Sequence, residues 1–387
     1  MGTRPRLNVM AMVESIGYAD GGAEHLAVRI ASELDPDRFN SAICATRWTP
    51  EHDGREDVEA AVADLDAAGV DVVRLNRRGR LDVVAWRRFA ARLRSQPIHV
   101  LHSHMFGSNV WGSILGSVCR VPVIIAHEHM WSFEGAPVRR VFDRDVIARR
   151  SDAFLTVSEQ SRRMMIEVEG VAASRVQAMT NGIPSRPLGS SDAARKLLGI
   201  DPDAFVVGTV GLLRPEKAFE VLIDAAPLIA QQVPSARVVI VGDGPEREML
   251  EARIGERGAG EIVHLAGVRL DVPELLPGFD VAVCCSDWEG GPLSVMEYMQ
   301  AGLPIVATAV GGIPEMIEDG REALLVPPRD PKALAGAIIE LQRDPTRADA
   351  LRKSALIKQK RDYDLGAMVG KLEALYDRLY DEATQGS

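Results

Sequence analysis

At 387 residues the chain is longer than one hydrophobic core usually serves, so two domains are expected. Its 46% hydrophobic, 26% charged and 5% aromatic residues exclude a disordered or collagen-like chain, and a net charge of −10 argues against nucleic acid as a partner. No run reaches the roughly 18 apolar residues of a membrane span, and Cys44, Cys119, Cys284 and Cys285 lack metal-ligand spacing, so a cytoplasmic chain with reduced thiols is expected.

Short Val/Ile/Ala-rich runs alternate with segments of helical period, the pattern of parallel sheets covered by helices. Strands are predicted at 7–14, 39–46, 71–76, 99–104, 121–128 and 153–158, then at 205–211, 237–243, 262–267, 280–286, 304–309 and 322–327. The fold class is therefore α/β, with two Rossmann-like doubly wound domains at 1–182 and 201–362 joined by a hinge at 183–200. The helical segment at 363–387 could cross back onto the first domain. Ligands of such sheets gather at the carboxyl ends of the strands, so the chemistry is expected in a cleft between two facing domains.

Along the chain, Asp20-Gly21-Gly22-Ala23-Glu24 follows the first strand and opens an amphipathic helix, where paired glycines let backbone amides approach a phosphate or another ligand. Arg77, Arg78 and Arg80 precede a helix with Trp86, Phe89, Ala90 and Leu93 on one face and Arg87, Arg88, Arg92 and Arg94 elsewhere. That apolar face is expected to pack on its own sheet, and contact with an anionic membrane is the other reading. The fourth strand ends in His102, His104, Ser108 and Asn109, and the fifth in His127-Glu128-His129. Alternation sends His127 and His129 to the same side, and His129 lies further toward the loop. These ligand types sit on two strands without metalloprotease spacing, and the Asp-x-Asp pairs read as turn or helix positions, so no required metal is expected.

In the second half, Gly211-Leu212-Leu213-Arg214-Pro215-Glu216-Lys217 sets two cations at a strand's carboxyl end, where they could neutralise a departing diphosphate. Val241-Gly242-Asp243-Gly244 is a strand-to-turn lacking the third glycine of a dinucleotide fingerprint, and Gly267-Val268-Arg269 closes another strand. The densest chemistry is Ser286 to Glu297. There Gly290 and Gly291 expose backbone, Pro292 suits a first helical turn, and the helix start offers amides to a diphosphate. At about 1.5 Å per helical residue, Glu289 and Glu297 would stand roughly 12 Å apart, the reach of a nucleotide-sugar from sugar ring to ribose.

Glu289, seven residues and Glu297 within Glu-Gly-Gly-Pro resembles the retaining glycosyltransferases of family four (group 1 type), which have the GT-B fold, and the resemblance covers nearly the whole chain. It implies a metal-independent, retaining transfer from a nucleoside-diphosphate sugar, most commonly UDP-linked, to a glycan, lipid-linked or small-molecule acceptor, with no further cofactor. By position, Glu289 would contact the transferred sugar, Gly290, Gly291, Leu293 and Ser294 the sugar and phosphates, and Glu297 the ribose. Gly242, Val268 and Arg269 would lie near the nucleotide, Lys217 and Arg214 near the diphosphate, Gly22 near the donor and His129 near the sugar. Gly21, His104, Asn109 and His127 are candidates for the acceptor side. The family usually has Arg and Gly where this chain has Leu212 and Ala218, and Arg214 is expected to swing in for the missing guanidinium. The motifs leave open a nucleotide-sugar epimerase or phosphorylase of the same architecture, or a non-catalytic sugar-nucleotide-binding protein. Bacterial polysaccharide or glycolipid synthesis at the inner face of a membrane is the setting the resemblance implies.

Overall fold

The computed structural model describes residues 5–130 and 136–385. In chain order the first strands are β1 (Leu7–Val13), β2 (Phe39–Ala45), β3 (Asp71–Arg74), β4 (Val100–His104), β5 (Val123–Glu128), β6 (Ala153–Thr156) and β7 (Val176–Ala178). They form one parallel sheet in the order β3-β2-β1-β4-β5-β6-β7. A second parallel sheet holds β8 (Phe205–Val210), β9 (Ala236–Val241), β10 (Val263–Gly267), β11 (Val281–Cys284), β12 (Ile305–Thr308) and β13 (Leu324–Val326), ordered β10-β9-β8-β11-β12-β13.

Helices cover both faces of each sheet, so central strands read as unbroken apolar runs. Along β1, Met10 and Met12 join one core with Phe89 and Leu101, while Ala11 and Val13 join another with Ile43 and Leu65. In the second sheet Val238 and Ile240 of β9 face one core, and Val239 and Val241 the opposite one. β7 is absent from the sequence-based expectation because its three residues, Val-Gln-Ala, carry too little pattern to register.

The chain divides into two compact units, one running through Asn181 and resuming at Leu365, the other spanning Gly182–Asp364. Residues 191–198, read from sequence as part of a hinge, are instead a helix of the second unit. Ser190 caps it, Gly199 ends it in the left-handed conformation, Ala194 and Leu198 are buried, and Arg195 pairs with Asp280 at 2.8 Å. Helix Leu365–Gln385 belongs to the first unit: Glu373 accepts from the Asp35 amide at 2.8 Å and from Arg38 at 2.6 Å. The chain enters and leaves the second unit side by side, with the Ile183 amide donating to the Tyr363 carbonyl at 3.0 Å.

Candidate active site

In the second sheet the strand order reverses between β8 and β11, and doubly wound sheets bind ligands beyond the carboxyl ends at such a point. Residues 211–217 leave β8 there and residues 285–292 leave β11. The two loops are stitched together. The Asp287 amide donates to the Glu216 carbonyl at 2.9 Å, the Cys285 thiol to the Lys217 carbonyl at 3.4 Å, and Arg329 bridges Asp287 and Glu220.

At their meeting point Lys217 Nζ donates to Glu289 Oε1 at 2.6 Å, and Ser286 Oγ donates to the same oxygen at 2.7 Å. Glu289 is 4% exposed, so its charge is held by partners rather than water. Burial pulls the Lys217 ammonium down, but Glu289 outweighs it and the group is held above its ordinary value, fully charged at neutral pH. The Glu289 backbone is gripped as well: the Gly312 amide donates to its carbonyl at 2.9 Å, and a Cβ on Gly311, at φ +53, would stand 1.8 Å from that oxygen. The Gly311-Gly312 turn therefore seats Glu289 by an approach only glycine permits.

Ala218 follows Lys217 in the left-handed conformation, φ 49, although it carries a Cβ. The conformation is the one glycine favours, so the departure from the family residue changes the strain at this turn and not its shape. Arg214 begins the short 3-10 turn Pro215–Lys217 and is exposed.

Helix Leu293–Gln300 begins one residue later than the sequence suggested, with Pro292 as its extended N-cap. Residues 289–292 are not helical, so the 12 Å estimate from an unbroken helix does not hold. Val295, Met296, Tyr298 and Met299 are buried, while Leu293, Ser294 and Glu297 share the partly exposed face. The Tyr298 hydroxyl accepts from the Val210 amide at 2.7 Å, fixing this helix to the end of β8. Desolvation pushes the Glu297 carboxyl up to about 7, with Arg186 opposing. Nearby, the Gly242 amide donates to the Gly267 carbonyl at 2.8 Å, and a Cβ on Gly242 would meet the Gly211 carbonyl at 2.0 Å. Val268 is 49% exposed, and Arg269 is clamped by Asp271 at 2.7 Å.

In the first unit the loop before helix Gly22–Glu33 is held by carboxylates: Asp20 accepts from the Gly17 amide at 3.0 Å, Asp57 from the Ala19 amide at 3.0 Å, and Arg55 bridges both acids. The carboxyl ends of β4 and β5 carry His102, His104, His127 and His129 as a contiguous group of rings. Burial pulls His102 and His129 down to about 3 and His104 and His127 well below their ordinary value, so all four imidazoles are neutral. His127 is fully buried, and Asn109 is spent on its backbone, accepting from its amide at 3.2 Å and donating to its carbonyl at 3.1 Å. His129 is partly exposed. Between these strands Met105 sits at φ 68, ψ 153, a region almost reserved for glycine and a mark of strain stored at a strand end. Glu128 turns the other way, to Arg139 at 2.7 Å.

The family description "Glycosyl transferases group 1" matches residues 190–358, and "Glycosyltransferase Family 4" matches residues 20–186. The chain belongs to the group 1 glycosyltransferases. Among its relatives is the D-inositol 3-phosphate glycosyltransferase of Thermomonospora curvata, 28% identical over 72% of this chain and 70% of that enzyme. Another is the UDP-Gal:alpha-D-GlcNAc-diphosphoundecaprenol alpha-1,3-galactosyltransferase of Escherichia coli, 24% identical over 73% and 76%. The GT-B fold is shared with the solved structure of Anabaena Alr3699/HepE in complex with UDP and glucose, with a TM-score of 0.82 at 21% identity over 96% of this chain and 100% of that one.

In this glycosyltransferase the second unit brings together Lys217, Glu289, Gly290 and Gly291, and puts Gly242 beside Gly267 just before Val268 and Arg269. The first unit gathers His104, Asn109, His127 and His129 at one sheet end, while Gly21 and Gly22 begin a helix at the end of β1. The roles of Ser286 and Arg186 were not legible in the sequence. Ser286 stands three residues before Glu289 without a motif of its own, and Arg186 lay in a stretch read only as hinge. Among the described residues no helix is long and apolar enough to cross a membrane.

Proposed function

We propose that this glycosyltransferase moves a sugar from a nucleoside-diphosphate sugar, with UDP as the nucleotide, to a glycan, lipid-linked or small-molecule acceptor. Transfer retains the anomeric configuration and needs no metal. The observation that carries the reading is the pair of partly buried Lys217 and buried Glu289 at the reversal point of the second sheet, beside the start of helix Leu293–Gln300. A cation and helix-end amides suit the diphosphate, and a fixed carboxylate beside them suits sugar hydroxyls.

In the proposed reaction the bond from the anomeric carbon to the diphosphate oxygen breaks while the acceptor oxygen bonds to the same face of that carbon. The acceptor's proton passes to the departing phosphate oxygen. Lys217 turns from Glu289 to the growing phosphate charge, with Arg214 assisting, and Glu289 is left to orient the sugar. Glu297 holds the ribose. His129 is proposed to serve the transfer step, and its partial exposure, against the full burial of His127, supports that choice.

Thermal stabilisation by a panel of nucleoside diphosphates and their sugars, with a chelator present, tests the donor site. One nucleotide at about a hundred times its Kd should stabilise by about 2.7 kcal/mol, and Glu297→Ala should abolish the shift. A panel without any shift would refute the donor assignment, and an inverted anomer in the product would refute retention. Loss of activity in the chelator would refute metal independence.

A further inference from the structure

His102 and His104 stand two residues apart on β4, facing one side, and His127 on β5 is registered directly against His104. A ring nitrogen from each of the three lies within 4.8 Å of the others, and none of the three residues is more than 1% exposed. Buried polar atoms are normally paired. Yet Nε2 of His102, Nε2 of His104 and both ring nitrogens of His127 have no hydrogen-bond partner among the described residues. Each such orphan carries an unrelieved desolvation penalty, and stacking of the rings does nothing to satisfy it.

The nitrogens that are satisfied are those a metal ligand would keep engaged. His102 Nδ1 lies 2.7 Å from the Tyr376 hydroxyl, and His104 Nδ1 lies 2.9 Å from His129 Nε2. A histidine that binds a metal through one nitrogen typically gives its other N–H to such a partner, which fixes its tautomer and its orientation.

We propose that His102, His104 and His127 form a binding site for a divalent transition-metal ion, zinc(II) being the chemistry that fits best. With no edge above 4.8 Å, a point exists within about 2.8 Å of all three nitrogens, so moving each inward by about 0.7 Å reaches the zinc–imidazole distance of about 2.1 Å. Side-chain rotation supplies that much. Three imidazoles without a carboxylate select zinc, copper or nickel over magnesium, calcium or manganese, and Glu128, the nearest acid in sequence, is committed to Arg139. The fourth position is left to water or an anionic oxygen. A metal on Nε2 of His104 leaves its Nδ1–H to donate to His129 Nε2, so a loaded site fixes the tautomer of His129. The inference does not rest on the Lys217–Glu289 pair that carries the donor reading, which lies in the second unit.

The full chain, freed of any histidine tag and stripped with a chelator, is titrated with zinc(II) against a chromogenic competitor, and cobalt(II) serves as a visible-absorbing probe. One equivalent of zinc should bind with a Kd in the micromolar range or below, and His102→Leu and His127→Leu should each weaken binding at least tenfold. His264→Gln, an exposed histidine of the second unit, should change nothing. The cobalt spectrum of the unmodified chain should be that of a four-coordinate site with three nitrogen ligands, a readout that does not depend on either variant folding. The proposal falls if about 100 µM free zinc fails to bind stoichiometrically, if both leucine variants bind as the unmodified chain does, or if cobalt gives only a weak octahedral spectrum.

Discussion

Replacing Gly311 by alanine probes how Glu289 is held. The added Cβ would stand 1.8 Å from the Glu289 carbonyl oxygen, where ordinary contact needs about 3.4 Å, so the two backbones must part by about 1.6 Å. Alanine at φ +53 costs a further ~1–2 kcal/mol by itself. Because a displacement of about 1 Å at a positioned group can cost ~100-fold in rate, Gly311→Ala should lower kcat by that order. Gly320→Ala is the control: it imposes a similar φ, +72, with nothing within 4 Å of the new Cβ. It should lose only the conformational term, about 2–8 °C in Tm at 2–4 °C per kcal/mol, and keep full activity. Calorimetry and initial rates of nucleotide release, run on both variants, separate strain from contact. Equal rates and equal melting points in the two would show that Gly311 does not seat Glu289.

Lys217→Met strands the Glu289 charge at a site 4% exposed. With Ser286 still donating, the loss should be about 2–4 kcal/mol, and Lys217→Met with Glu289→Gln should recover part of it in a denaturant double-mutant cycle. Arg214→Ala, on an exposed residue, should leave stability within about 0.5 kcal/mol while lowering activity, and full activity there would end its assignment to the diphosphate. Glu297, raised to about 7, keeps in the folded state a proton that the unfolded chain releases near its ordinary 4.5. Its penalty is absent below the lower value and complete above the higher, so Glu297→Gln should gain on the parent from pH 5 to pH 8 by up to about 3 kcal/mol. A pH-independent difference in urea titrations would contradict this. Ala218→Gly should relieve left-handed strain and raise stability by about 1 kcal/mol, partly offset by the lost methyl, as calorimetry would reveal. Leu81, Val83 and Val84 are 62–80% exposed beside the exposed Arg78, Arg80, Arg87 and Arg88. Vesicles with anionic lipid should therefore co-sediment the chain at low salt, and Val83→Asp with Val84→Asp should release it.

The alternation of apolar runs and helical periods made both sheets legible, because strands covered on both faces have little choice but to be apolar. β7 escaped because three residues cannot carry a pattern, and helix 191–198 because serine, glycine and aspartate at 185–192 read as turn chemistry without saying where the turn ends. Lys217 and Glu289 were legible as types at strand ends, but their mutual contact joins positions 72 residues apart and is set by loop packing. The role of Gly311 was hidden for the same reason: a glycine after a strand announces a turn, and only the fold reveals what it leans on. On the first helix after β3, the apolar face of Trp86, Phe89, Ala90 and Leu93 packs on its own sheet, as expected, whereas the exposed Leu81, Val83 and Val84 around its start carry no pattern in the sequence that sets them apart.

The return of helix Leu365–Gln385 to the first unit makes that unit discontinuous, with the whole of the second unit spliced into it. On a ribosome the first seven strands emerge long before Tyr376 and Glu373, which close over His102 and Arg38. The second unit can complete itself from an unbroken stretch of nascent chain, while the first must wait, its sheet formed and one flank uncovered. The exposed flank is where a chaperone would be expected to hold the growing polypeptide, and a stalled chain lacking the last helix should be protease-sensitive in its first half and resistant in its second.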